Sequence, residues 1–284
     1  MSHEVVRTRG GALAMRCQVA GEVMHPGVGP LAEAQSLYVA QSRLVERVRE
    51  AGERPLVLFD VGLGAASNAI SARAAIEGAF SSEPAAQGRP RLEIISFERD
   101  LGALALALDH GEAFGLTGES ARAARVLLDD GVADGAVTRW RLVVGDLRET
   151  LATVDARADV VFWDPFSPRA NPELWTVAAF AEMRRAAGPR CTLFTYSAST
   201  ATRTALLLAG WAVGIGAQIG DKAETTTAAV EAADLERPLD RAWLSRVARA
   251  DAPRPADAPA DAAVRVAAAP QFAERDERSS RGKV

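Results

Sequence analysis

Residues 57–68 read VLFDVGLGAASN: an apolar run, a glycine-containing turn, and the opening of a helix. Three later apolar runs end in a similar way. Residues 92–97 (LEIISF) lead to Glu98, 142–144 (LVV) to Gly145-Asp146, and 160–163 (VVFW) to Asp164-Pro165-Phe166. Four strands that each deliver glycine or a carboxylate at the C-terminal end describe the rim of an open parallel sheet, where α/β proteins bind their ligands. That rim is the expected functional region.

Working outward, helical spacing is expected over 68–80, 101–108, 122–130, 173–187 and 200–209, with further strands over 191–196 and 211–215. Alternating β and α elements predict an α/β fold with a doubly wound, mostly parallel sheet and right-handed crossovers. Residues 212–230 alternate loosely and include Thr225–Thr227, which favours a C-terminal antiparallel hairpin. Ahead of the sheet, 21–32 is irregular and 33–48 reads as one helix, so 1–50 is expected to cap the ligand-binding rim. The main domain is expected over 51–232. From residue 251 Ala, Pro, Arg and Asp dominate and periodicity is lost, so 233–284 is expected to be a disordered tail holding at most a short helix over 238–248 anchored by Trp243.

The 284-residue chain has 48% hydrophobic and 25% charged residues, ordinary for a globular protein. A net charge of −4 gives no basic footprint for non-specific nucleic-acid binding. Cys17 and Cys191 lie in no metal-ligand spacing, and with three histidines no metal site is expected; the two thiols read as reduced core residues. No leading apolar segment and no run of about 20 apolar residues is present, so no membrane partner and a cytoplasmic location are expected.

The turn Gly62-Leu63-Gly64 resembles a nucleotide-binding loop, but position 67 is Ser, not the third glycine of GxGxxG. A structural tight turn reads the same way, and each acid nearby could simply cap a helix. The downstream acids weigh against that. Glu98 can accept both hydroxyls of a ribose, and Asp146 a hydrogen bond from an adenine amino group. A pyrophosphate needs the complete glycine set on a helix N-terminus, whereas S-adenosyl-L-methionine (SAM) has no phosphate and needs only close backbone approach and two acids. SAM is the expected cofactor, held by Asp60, Gly62, Gly64, Asn68, Glu98 and Asp146. Asp100 is placed to cap the following helix, leaving Glu98 for a ligand.

Asp164-Pro165-Phe166-Ser167-Pro168 ends the fourth strand in a loop that two prolines stiffen. Amine methylation needs a neutral nitrogen aimed at the methyl group; a carboxylate can accept its N–H, orient the lone pair and stabilise the developing ammonium. Asp164 is therefore the candidate catalytic residue, the alternative being a helix cap. His25, Glu33, Phe166 and Arg169 are candidate substrate-binding residues, with Tyr196 and Ser197 on the same rim.

Taken together, GEVMHPGVGPLAEAQSLYV, FDVGLGAASN, ISFERD, DPFSPRANPELWT, TLFTYSAST and DKAETTTA resemble the methyltransferase domain of the bacterial tRNA 5-methylaminomethyl-2-thiouridine biosynthesis enzyme. The resemblance runs through about residues 8–230 in consistent order. It implies a class I SAM-dependent methyltransferase of Rossmann-like fold acting on the aminomethyl group of the modified wobble uridine, with the tRNA anticodon loop as partner. It also implies that the glycine turn and Glu98 hold SAM, that Asp164 stands beside the amine, and that Glu33 matches a family glutamate. The family turn reads GxGxGxN, and here Ala66 stands at the third glycine. The oxidase half of two-domain relatives is not in this sequence, so a free amine is expected to be made elsewhere. Two other readings stay open: a same-fold transferase on a small amine or protein, including the polyamine aminopropyltransferases, and a non-catalytic SAM-binding protein.

Overall fold

The computed structural model describes residues 3–8, 11, 13–24, 29–82, 90–218, 224–249 and 251–273. The chain begins with a small antiparallel sheet of β1 (His3–Arg7), β2 (Leu13–Cys17) and β3 (Glu22–Val23). Next come α1 (Pro30–Glu33), with its proline in the first turn where no N–H is needed, a π-helical stretch (Ala34–Ala40), and α2 (Leu44–Ala51). The single helix expected over 33–48 is thus divided. Arg43 takes a left-handed conformation (φ 51°), which a right-handed helix cannot propagate through.

The principal elements follow in alternation: β4 (Leu56–Val61), α3 (Ser67–Ala79), β5 (Leu92–Glu98), α4 (Gly102–Asp109), α5 (Gly118–Asp130), β6 (Val132–Asp134), β7 (Thr138–Val144), α6 (Leu147–Thr150), β8 (Ala158–Trp163), α7 (Val177–Ala186), β9 (Ala187–Thr195), α8 (Thr200–Leu208), β10 (Ala212–Gly216), β11 (Thr225–Ala229), α9 (Leu244–Val247) and α10 (Ala262–Ala267). The large sheet has the order β10-β11-β9-β8-β4-β5-β7-β6. Its inner pairs are parallel, while β9–β11, β10–β11 and β6–β7 are antiparallel. The doubly wound sheet and its terminal hairpin are as the alternation predicts.

All six residues of β4 are buried, as a central strand covered on both faces requires. Successive side chains divide between two cores: Leu58 packs with Ile94 and Val160, and Phe59 with Ile95 and Val161. Strand β4 pairs with β5 on one side and β8 on the other, so the chain's direction of travel across the sheet reverses there. The crevice at the carboxyl ends of these strands is the standard ligand position of the fold.

The expected disorder of 233–284 does not hold for its described part; 274–284 lies outside the described residues. Trp243, Val247, Val266 and Phe272 are buried in the second core. Asp257 accepts the Val177 and Ala178 N–H groups (2.9 and 3.0 Å), capping α7. The Gln271 side chain exchanges hydrogen bonds with Val213 on the edge strand β10 (2.6 and 3.1 Å). Low overall apolarity concealed this because a few well-spaced anchors and side-chain caps fasten the segment.

Candidate active site

The glycine turn starts as β4 ends. Gly62 and Gly64 have φ of +87° and +53°. Ala66 takes φ +66° with its side chain fully buried, so a left-handed position that glycine adopts most readily is held here by an alanine. Asp60, expected among the ligand contacts, does not line the cavity at this rim. It lies beneath the turn with no exposed surface, accepting the Ser96 hydroxyl (2.7 Å), which in turn accepts the Trp140 indole N–H (2.9 Å). Burial, more than the neighbouring charges of Asp164 and Glu98, pushes its carboxyl up to about 7.

A cavity of about 780 Å³ opens at the rim, within the usual size for a cofactor site. Gly62, Gly64, Asn68, Glu98, Asp146, Glu33, Asp164, Phe166 and Arg169 all line it, so residues distant in sequence converge as expected. His25 lies outside the described residues. The N-terminal segment, expected to cap the rim, contributes His3, Cys17 and Glu22 from its small sheet and Met24 just after it; the sheet itself was not foreseen. Nothing in the spacing of those short strands marks them as part of a rim.

At the end of β5, Glu98 accepts N–H groups from Gly64 (3.0 Å), Arg99 (2.7 Å) and Asp100 (3.0 Å). A carboxylate offers about four acceptor positions, so three are engaged by the backbone and about one remains for a ligand hydroxyl unless Gly64 gives way. Asp100 caps α4 as expected, accepting the Gly102 N–H at 2.8 Å. Asp146 caps α6 through the Arg148 N–H (3.0 Å) and takes a two-point contact from the Arg148 guanidinium. These hydrogen bonds pull its carboxyl down to about 2. Ser67 Oγ and Asn68 Oδ1, buried beside the same cavity, have no hydrogen-bond partner among the described residues. Unpaired buried polar atoms, positive-φ glycines and a carboxylate at the ribose position form a donor and acceptor set that fits SAM.

Asp164 sits where β8 ends, and its Oδ2 accepts from the Asn68 amide (2.8 Å). The loop after it is fixed from several sides. Glu22 of β3 accepts the Ser167 N–H (3.1 Å) and the Ser167 hydroxyl. Tyr196 donates to the Pro165 carbonyl (3.1 Å), and the Trp175 indole to the Phe166 carbonyl (2.7 Å). Trp175 itself is buried, edge-on to Phe180 and Tyr196, so it braces the loop from the core. Burial raises the Tyr196 phenol, and the charges of Asp164, Glu22 and Glu33 raise it further. Around the mouth, Arg99, Arg148 and Arg169 each pair with a cavity acid: Glu173 (3.5 Å), Asp146 (2.6 Å) and Glu22 (3.5 Å).

Comparisons with known proteins agree with this geometry. Residues 129–231 match a family described as S-adenosyl-L-methionine-dependent methyltransferase. The crystal structure of MnmC2 from Aquifex aeolicus is similar, with a TM-score of 0.63 and 26% identity over 81% of this chain and 70% of that one. Spermidine synthase in complex with a transition-state analogue shares the fold at 12% identity (TM-score 0.52, 82% and 72% covered). The fold and the rim cavity are those of the class I SAM-dependent methyltransferase fold, and the family match falls on its C-terminal half. The chain is similar to the tRNA 5-methylaminomethyl-2-thiouridine biosynthesis bifunctional protein MnmC, as the sequence resemblance implies. It is 29% identical to that of Stutzerimonas stutzeri over 242 residues and 30% identical to that of Ectopseudomonas mendocina over 238. Those matches cover 81% and 80% of this chain but 35% and 34% of the relatives, so the chain spans about a third of their length. Among the described residues, no helix is long and apolar enough to cross a membrane.

Proposed function

We propose that this enzyme methylates the exocyclic amine of an aminomethyl-modified wobble uridine in tRNA. The observation that carries the reading is the position of Asp164, tied to Asn68 at 2.8 Å on the cavity wall beside the glycine turn, with Glu33 and Phe166 on the same cavity. The names of the similar MnmC proteins supply the tRNA substrate class.

When bound, SAM would supply an electrophilic methyl group on a sulfonium, to be taken up by the amine lone pair. The chain's own residues account for the rest. Gly62 and Gly64 admit the cofactor to the backbone, and Glu98 receives a ribose hydroxyl. Asp164 accepts an N–H from the amine, aims its lone pair and balances the positive charge that develops on nitrogen. Phe166 offers a face on which a splayed-out base can stack, the usual mode for single-stranded RNA loops. Arg169, four-fifths exposed and held to Glu22 at 3.5 Å, can exchange that partner for a backbone phosphate.

The test incubates the purified protein with SAM and tRNA bearing the unmethylated aminomethyl nucleoside, followed by digestion and mass spectrometry. Conversion to the methylated nucleoside is expected. Unchanged tRNA, with methylation of a small amine or protein instead, would overturn the substrate assignment.

A further inference from the structure

The loop after Asp164 has few backbone donors of its own, because Pro165 and Pro168 carry no N–H. Ser167 lies between them, where the chain turns back. Its carbonyl accepts the Ala170 and Asn171 N–H groups (2.9 and 2.8 Å), and its hydroxyl oxygen accepts the Arg169 N–H (3.3 Å). Those contacts bind Ser167 to its own turn. Its two donors go elsewhere, and both go to one side chain: the N–H to Glu22 Oε2 (3.1 Å) and the hydroxyl to Glu22 Oε1. A carboxylate that spans the N–H and O–H of a single residue fixes its orientation as well as its place.

Glu22 reaches this loop from 145 residues earlier in the sequence. It opens β3 opposite Cys17 of β2, and the pairing continues past the strand from the Met24 N–H to the Met15 carbonyl (2.8 Å). Residues two apart on an extended strand face the same way, and Glu22 and Met24 both line the cavity. Met24 lies over the glycine turn: a Cβ on Gly64 would come within 3.3 Å of its Sδ. One short strand and the residue after it thus touch both the turn proposed to seat the methyl donor and the loop proposed to orient the acceptor. The Glu22 side chain is 17% exposed, sheltered enough for its hydrogen bonds to keep their strength.

We propose that Glu22 is a positioning residue for methyl transfer: by clasping Ser167 it holds the 164–168 loop, and with it Phe166 and the Asp164 backbone, in register with the glycine turn. The proposal rests on that loop being the part of the site that meets the acceptor. Tyr196 and Trp175 fasten the loop from the core, on the Pro165 and Phe166 carbonyls. Glu22 fastens it from the cavity side. Reactive alignment tolerates little movement: a displacement of about 1 Å can cost about 10²-fold in rate. Arg169, on the same carboxylate at 3.5 Å, is the exposed member of the group, so it can turn to a ligand while Ser167 stays clasped.

The experiment compares Glu22→Ala with Glu22→Gln in the full chain. Glutamine keeps an oxygen for the Ser167 N–H and turns an N–H toward the Ser167 hydroxyl, so it retains the clasp without the charge. Exchange of the Ser167 amide hydrogen, read by NMR without substrates, should quicken about tenfold or more in Glu22→Ala and stay near wild type in Glu22→Gln, with other segments unaltered. The second readout is methyl transfer to tRNA at saturating SAM. Glu22→Ala should lower kcat about tenfold or more and leave SAM affinity within about twofold, while Glu22→Gln stays within about threefold of wild type. Normal kcat in Glu22→Ala, or lost kcat with unchanged Ser167 exchange, overturns the proposal. So does a Glu22→Gln protein as impaired as Glu22→Ala, which would make the charge and not the clasp the cause. Should Glu22→Ala not fold, Ser167→Ala removes the hydroxyl contact alone and should lower kcat several-fold, with wild-type kcat as the overturning result. If wild-type protein methylates a small amine in place of tRNA, the substrate reading fails, and the same comparison of the two Glu22 variants on that amine decides the proposal.

Discussion

Gly62 and Asp164 meet backbone to backbone: a Cβ on Gly62 would lie 2.7 Å from the Asp164 carbonyl oxygen. The Asp164 N–H also donates to the Val61 carbonyl at 2.9 Å. The turn proposed to seat the methyl donor and the loop proposed to orient the acceptor are thus joined at one point. Their separation is set by the ends of two paired central strands.

Gly62→Ala should therefore be costly. The left-handed φ adds about 1–2 kcal/mol for a residue with a Cβ, and overlap with the Asp164 backbone adds about 1–3 kcal/mol. Denaturant unfolding should show a loss of about 2–5 kcal/mol, with weaker SAM binding in calorimetry. Wild-type values in both would mean that β8 yields easily.

Glu98→Ala should weaken SAM binding by about 1.5–3 kcal/mol, the scale of one charge-assisted hydrogen bond. Because Glu98 also accepts the Gly64 N–H, the loss includes a loosened turn. Calorimetric titration of the variant reads this directly, and an unaltered affinity would remove Glu98 from the cofactor site.

Asp164→Asn keeps the shape of the side chain and removes its charge. Methyl-transfer rate at saturation should fall by on the order of 10²-fold while SAM affinity holds, as for loss of a preorganised polar group. Single-turnover kinetics would separate this from the opposite pattern, weak SAM binding at a normal rate, which would make Asp164 a cofactor contact.

Asp60 predicts a pH dependence of stability. Its folded carboxyl is raised from 3.8 to about 7, so the folded state holds the proton more tightly than the unfolded chain. Its contribution is fully present below about pH 4 and is lost as pH rises through about 7. The full difference is on the order of 4 kcal/mol. Asp60→Asn should flatten urea-unfolding stability between these limits and stabilise the protein above pH 7. An unchanged pH profile would place the Asp60 proton elsewhere.

Ending the chain at residue 250 should lower the thermal midpoint by about 5 °C or more. The truncation strips Val266 and Phe272 from the core and removes the Asp257 cap from α7. Calorimetry on the truncated chain checks this; a shift of only a degree or two would mean that the segment docks without contributing.

The fold was readable because β4, β5, β7 and β8 contain apolar runs separated by helical spacing, and the ligand rim because each of those runs ends on glycine or acid. Glu98 and Asp164 needed only their positions at strand ends. Glu22 was not legible, because it sits on a two-residue strand too short to alternate. Asp60 was misplaced by one layer, because a strand residue just before a turn points into the core when the next residue reaches the rim. The 251–273 segment was misread because Asp257 and Gln271 hold it by side-chain hydrogen bonds that leave no periodic trace.

Gln271 has a consequence for how the molecule behaves in company. Strand β10 ends the large sheet, and its outer backbone groups would be open to any extended segment that met them. The Gln271 amide occupies both groups of Val213, and residues 237–239 fill the positions around it. A chain cut before Gln271 leaves the Val213 N–H open, while Leu239 still donates to its carbonyl (2.9 Å). Self-association through that edge is then expected to grow with protein concentration, so that the shortened protein comes out of solution at temperatures where it is still folded.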